Sequence, residues 1–321
     1  MMKRTKIALG LALAVQAAIA GAQAWPEKPI RLVIGFPPGG GADAVARPVA
    51  EALSRELGQP VIVENKPGAG TTIAAGMVAG AAPDGYTLFM NNSSAYGSLQ
   101  VIYKDFRYGG KDFTPITRWT TAPLLVAVSN ELGVDNVAQL VAKAKAEPGK
   151  LNYASSGMGG GTHLPGLLFT KRAGVDIVHI PYKGGAAALQ GIVAGETQIS
   201  FATPPSVLPL AKAGRLKVIA VTTAERSPMF PELPSVAEGG VKDYEYSFSF
   251  GLFGPAGLPE PIVNRLFEAS RKVLADPALR AKLEGSGNGP APSESPAEFK
   301  RWVEADGAAQ RELTLASGVG N

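Results

Sequence analysis

The chain has 321 residues, with 31 Lys and Arg against 27 Asp and Glu, a formal charge of +4, and no cysteine. The missing thiols exclude disulfides, thiolate metal sites and a cysteine nucleophile together. The basic residues form no cluster, which argues against nucleic acid or a membrane surface as a partner.

Lys3, Arg4 and Lys6 precede an apolar run from Ile7 to Ile19, and Ala22-Gln23-Ala24 supplies the small-x-small pattern of a signal-peptidase site. The run is about 13 residues, shorter than the roughly 20 that a membrane-spanning helix needs. A signal peptide over 1–24 is therefore expected, with a mature chain that starts at Trp25 and carries 28 basic and 27 acidic side chains. A binding protein on a cell without an outer membrane would need a lipid-bearing cysteine, so the expected address is a Gram-negative periplasm.

From there, short β-branched runs alternate with helical stretches. Strands are expected at 30–36, 61–64, 86–90, 124–128, 151–155, 177–180, 198–202, 216–221 and 246–253. Helices are expected at 72–82, 137–146, 163–173, 186–194, 206–213, 261–275 and 296–316. A further helix follows the first strand, where Val45, Val49, Leu53 and Leu57 recur every four residues, and Pro48 within it predicts a kink near Ala44. The alternation is that of an α/β fold with mostly parallel sheets flanked by helices. Breaks at 131–135 and 227–240 divide it into a discontinuous lobe, 25–126 plus 247–321, and an inserted lobe, 127–246. Two connecting strands would act as hinges.

Three Gly-rich stretches each follow a strand and open a helix: Phe36-Pro37-Pro38-Gly39-Gly40-Gly41-Ala42-Asp43, Ser155-Ser156-Gly157-Met158-Gly159-Gly160-Gly161-Thr162, and Tyr182-Lys183-Gly184-Gly185-Ala186. The first N–H groups of a helix lack intrahelical partners and the macrodipole is positive there, so such a start attracts an anion. Glycine lets the ligand approach the backbone. Three starts facing one cleft would hold a carboxylate without an arginine. Asp43 complements the dipole of its helix or shapes the loop, Lys183 is a solvated lysine or a ligand contact, and Phe248 and Phe250 are core or pocket wall. Asn91, Asn92, Ser93 and Ser94 stand beyond a strand's carboxyl end, where open α/β sheets present ligand contacts.

Other chemistries fit less well. Lys183 precedes its glycines, which rejects a phosphate loop. Gly39-x-Gly41-x-x-Ala44 with Glu64 at the next strand's end imitates a dinucleotide turn, but an exported chain with Pro37-Pro38 in that turn suits it poorly. His163 and His179 have no metal-ligand spacing, and Ser155 and Ser156 lack the frame of a nucleophile elbow. No cofactor is expected, and the enzyme readings, a dehydrogenase or a hydrolase with His163 as base, stand behind the binding reading.

Across the mature sequence the chain resembles the Bug family, the substrate-binding proteins of tripartite tricarboxylate transporters. The resemblance rests on Trp25-Pro26-x-Lys28-Pro29-Ile30, Phe36-x-Pro38-Gly39-Gly40-x-x-Asp43, Ala82-Pro83-Asp84-Gly85-Tyr86-Thr87, Asn152-Tyr153-x-Ser155-x-Gly157-x-Gly159, Pro181-Tyr182-Lys183-Gly184-Gly185 and Gly254-Pro255-Ala256-Gly257. It implies a two-lobed, type II-like Venus flytrap. The loop from Phe36 to Asp43 would pin a carboxylate, partly through ordered water, while Ser155 to His163 and Tyr182 to Gly185 close over it. The chain departs from the family at Asn91-Asn92-Ser93-Ser94, at Thr203-Pro204-Pro205 where Asp or Asn is common, and at Phe248 where Trp is common.

These readings together predict a ligand-binding set of Phe36, Pro38, Gly39, Gly40, Gly41, Asp43, Asn91, Ser93, Ser94, Ser155, Ser156, Gly157, Gly160, Thr162, His163, Lys183, Gly184, Gly185, Thr203 and Phe248, with no catalytic or metal residues. The expected ligand is a di- or tricarboxylate or an aromatic acid such as terephthalate, passed by a monomeric receptor to permease subunits. A sensor that presents the same ligand to a signalling partner is the alternative.

Overall fold

The computed structural model describes residues 25–319, so the expected signal peptide lies outside the described residues. The chain opens with β1 (Ile30–Ile34), α1 (Gly41–Leu57), β2 (Val61–Asn65), α2 (Thr72–Ala79) and β3 (Thr87–Asn91). β1 pairs in parallel with both β2 and β3, as βαβ crossovers require. The predicted stripe of α1, Val45 to Leu57, is buried against this sheet, and Gly58 ends the helix in the left-handed region at φ 73°. The helix runs unbroken from Gly41 to Leu57 with Pro48 inside it. Pro48 removes one bond from a 17-residue helix that packing holds in place.

A short helix α3 (Ser98–Ile102) leads into β4 (Phe113–Pro123), and the chain then enters a second sheet at β5 (Leu125–Val128). There follow α4 (Val137–Ala146), β6 (Asn152–Ser155), α5 (Leu164–Ala173), β7 (Val178–Pro181), α6 (Gly185–Val193), β8 (Ile199–Ala202), α7 (Pro204–Lys212) and β9 (Lys217–Val221). β10 (Ser247–Pro255) returns to the first sheet, followed by α8 (Glu260–Leu274), α9 (Pro277–Gly285), β11 (Gly289–Pro290) and α10 (Pro296–Ala316).

The strand orders are β11-β4-β10-β3-β1-β2 and β7-β6-β8-β5-β9. The α/β class with two helix-flanked sheets stands, but the sheets are mixed rather than mostly parallel. β10 runs antiparallel to β3 and β4, and β5 runs antiparallel to β8 and β9. These are the strands that carry the chain between lobes, so they enter each sheet from the opposite end to its βαβ strands.

Thr222, fully buried, ties the two connections together. Its N–H donates to the Leu124 carbonyl (3.0 Å) while its hydroxyl accepts from the Leu124 N–H (2.8 Å). The same hydroxyl donates to the Tyr246 carbonyl (2.7 Å), and the Tyr246 N–H donates to the Thr222 carbonyl (2.8 Å).

Candidate functional site

The lobes meet closely. A Cβ at Gly184 would lie 2.6 Å from Pro37 Cγ, and a Cβ at Gly41 would overlap the Thr203 side chain. Between them lies a cavity of about 250 Å³. α1 presents Gly40, Gly41 and Ala42 to it, and α6 presents Gly184, Gly185, Ala186 and Ala187. Neither helix has a side-chain cap, because glycine occupies both N-cap positions. The N–H groups of Gly41, Ala42, Gly185 and Ala186 have no hydrogen-bond acceptor among the described residues. Two positive helix ends from opposite lobes thus aim unpaired donors at one space.

A third helix, α7, starts at the same cavity through Thr203 and Ser206. Pro204 and Pro205 occupy its first turn and donate nothing, so this end offers only two hydroxyls, 3.0 Å apart. The apolar wall is aromatic: Phe36 and Phe250 meet edge to face at 6.1 Å, as do Phe248 and Phe250 at 4.8 Å. Lys183 is exposed at the rim and makes no ion pair among the described residues.

Asp43 shapes the first loop. Its carboxylate accepts from the Gly39 N–H (3.0 Å), Arg47 (2.7 Å) and Asn65 (3.2 Å), and Asn65 also donates to the Phe36 carbonyl (2.9 Å). Burial pushes the Asp43 pKa up, but these hydrogen bonds outweigh it and hold the carboxyl below its ordinary value. In the second lobe the Ser156 N–H donates to Thr162 Oγ1 (2.8 Å), and the Ser156 and Thr162 hydroxyls are paired at 2.7 Å.

Of the predicted residues, Phe36, Pro38, Gly40, Gly41, Ser156, Thr162, Lys183, Gly184, Gly185, Thr203 and Phe248 line this cavity. Gly157 and Gly160 line a neighbouring, more open cavity of about 630 Å³ on the far side of Phe36, Pro37, Lys183 and Gly184. Gly39, Asp43, Asn91, Ser93, Ser94, Ser155 and His163 line neither.

Several of these have hydrogen-bond partners inside the protein. Ser93 turns away to hydrogen-bond Asp306 and Gln310 of α10. Asn92 spends its oxygen on the Ser94 N–H (3.0 Å), while Asn91 Oδ1 and Ser94 Oγ are buried without a hydrogen-bond partner among the described residues. His163 is fully buried and its Nδ1 accepts the Gly159 N–H (3.0 Å), so the ring supports the loop from behind. Ser155 is buried against His179 Nε2 (2.7 Å).

The two imidazoles stack at 3.9 Å. Burial lowers the His163 pKa to about 4, and burial with the neighbouring His163 lowers that of His179 to about 3. Glu64, the acidic residue of the dinucleotide reading, is engaged by Arg31 through two 2.9 Å bonds. No group of three or more His, Asp or Glu among the described residues is placed to hold a metal ion.

Sequence reasoning missed Pro67-Gly68-Ala69-Gly70-Thr71, which borders the larger cavity. The signal was present: it is a fourth Gly-rich stretch between a strand and a helix. Tyr103, Ala187 and Ser206 carry no such mark, because only the fold brings them to the cleft.

The family model described as the tripartite tricarboxylate transporter family receptor matches residues 45–312. The chain belongs to this family. BugT of Bordetella pertussis is 32% identical over 290 residues, 88% of each chain. Among solved structures, R. palustris Rpa4515 with adipate superposes with a TM-score of 0.87 at 34% identity, over 92% of this chain and 98% of that one. MatC from Rhodopseudomonas palustris with bound malate gives a TM-score of 0.84 at 29% identity, over 90% and 100%. Family and neighbours are solute-binding receptors with two lobes. No described helix is long and apolar enough to cross a membrane.

Proposed function

We propose that this protein is a periplasmic receptor that closes around a small carboxylate with an apolar body and passes it to the membrane subunits of a tripartite tricarboxylate transporter. The observation that carries the reading is the pair of uncapped helix starts, α1 and α6, aimed from opposite lobes at one aromatic-walled cavity. Each start contributes on the order of 0.3–1 kcal/mol and each hydrogen bond to a charged group roughly 1.5–3. A micromolar affinity needs about 8 kcal/mol, within reach of several such bonds plus apolar burial.

In this reading the lobes are 25–126 plus 247–321 and 127–246, the Thr222 tie is their hinge, and the receptor works as a monomer exported by its 1–24 leader. Adipate and malate in related structures make aliphatic dicarboxylates the first candidates. The three phenylalanines extend the range to aromatic acids such as terephthalate. Contacts to both lobes would shift the population from open to closed.

A thermal-shift screen of residues 25–321 against adipate, malate, terephthalate, benzoate, amino acids and nicotinamide cofactors tests this. A ligand that binds only the folded state raises the melting temperature by mass action. A shift confined to carboxylates is expected; a shift with a cofactor alone would overturn the reading.

A further inference from the structure

The closed cleft is held from behind as well as around its cavity. Ser98, in α3, donates its hydroxyl to the Gly159 carbonyl (2.8 Å), and Tyr103, just beyond α3, donates to the Met158 carbonyl (3.1 Å). Both donors lie between strands of the first sheet, and both acceptors lie in the Gly-rich loop after β6 of the second. Along the same seam a Cβ at Gly159 would sit 2.9 Å from Ile102 Cδ1, and one at Gly161 would overlap the Phe248 ring. Neither Ser98 nor Tyr103 borders the smaller cavity, and Tyr103 borders only the larger one.

Closure brings two carbonyl groups against α3, that of Gly159 buried and that of Met158 part-buried, and a buried carbonyl without a donor is strongly disfavoured. In separated lobes water satisfies the two carbonyls and the Tyr103 hydroxyl, and Ser98 keeps Gln310 Oε1 of its own lobe at 3.5 Å, so these two bonds favour the closed state. We infer that Ser98 and Tyr103 form a latch: positioning residues that set the closed population without touching the ligand. The inference rests on the carboxylate-receptor reading for its affinity readout only.

The test compares wild type, Tyr103→Phe, and Ser98→Ala combined with Tyr103→Phe. Each is titrated with adipate, malate and terephthalate under stopped-flow. Interlobe distances are read by spin labels at Glu51→Cys and Lys145→Cys, both exposed in a chain with no native cysteine. Loss of one such bond corresponds to about tenfold in a closing equilibrium. The single variant should bind about tenfold more weakly and the double about 50-fold or more, through faster dissociation with association unchanged. The label distances should also lengthen. Unchanged affinity and distances in the conservative Tyr103→Phe variant overturn the latch, as does a loss carried by association alone. A wild type that binds none of the three acids, while Tyr103→Phe lengthens the label distance, removes the carboxylate reading and keeps the latch.

Discussion

Two turns at the same edge of the first sheet make opposite use of their polar groups. Residues 36–42 follow β1 and residues 91–96 close and follow β3, and β1 and β3 are neighbours. The second turn is far richer in polar side chains, and those that find partners turn inward, while Asn91 Oδ1, Ser94 Oγ and Tyr96 Oη are buried without a hydrogen-bond partner among the described residues. Asn92 caps Ser94, and Ser93 binds Asp306 and Gln310. The first turn has almost no polar side chain, and with glycine at the N-cap the Gly41 and Ala42 N–H groups stay open to the cavity. Unpaired donors that line a cavity mark a binding loop better than polar residues do, because an acceptor next door removes a donor from ligand chemistry and a buried group facing no cavity offers a ligand nothing.

The hardest test of that contrast is steric. Gly41→Val should weaken carboxylate binding at least about 1000-fold, roughly 4 kcal/mol, because the added carbons meet Thr203 across the cleft and block closure. The ligand-free melting temperature should hold, since open lobes avoid the clash. Gly40→Ala, whose Cβ meets only the Pro37 carbonyl at 3.7 Å, should cost little. Calorimetric titration of the two variants separates these outcomes, and equal losses would mean that the loop acts through flexibility instead.

Next in size is pH. The paired histidines are held neutral behind the second Gly-rich loop, with folded pKa values of about 4 and about 3 against an ordinary value of 6.5. Below pH 6.5 the unfolded chain binds protons that the folded chain refuses. Stability should therefore be level above about pH 7 and fall from 6.5 towards 4, by about 1.4 kcal/mol per pH unit for each ring. Urea midpoints across that window check it, and a flat profile would contradict the burial argument.

Ser93→Ala comes third. It removes a hydroxyl donor from the half-buried Asp306 carboxylate and should lower stability by about 1–2 kcal/mol while leaving ligand affinity unchanged. A loss of affinity at constant stability would return the 91–96 turn to the site. Smallest is Lys183→Ala, which removes an exposed charge at the rim. It should cost under about 1 kcal/mol of affinity, and the loss should vanish at high salt.

Much of the fold was legible because its signals are local. The four-residue stripe of α1 and the strand–glycine–helix passages at Phe36, Ser155 and Tyr182 are written in neighbouring residues. β4 was not legible, since Pro115 inside Phe113–Pro123 argues against a strand. The structure seats Pro115 beside a register shift between β4 and β10, where the ladder is already irregular. The site divided along the same line. Glycines at helix starts were readable one by one. That Ser93 faces Asp306, 213 residues away, or that His163 braces Gly159 from within, depends on packing no local pattern carries.

Amide chemical shifts of the ¹⁵N-labelled protein, followed during titration with the strongest carboxylate from the thermal screen, test the central claim most directly. Two uncapped helix starts sharing one anionic ligand should give the largest changes at Gly41, Ala42, Gly185 and Ala186, on both sides of the cleft. Large changes at Asn92 to Tyr96, with those four amides unmoved, would contradict the account and place the ligand at the other turn.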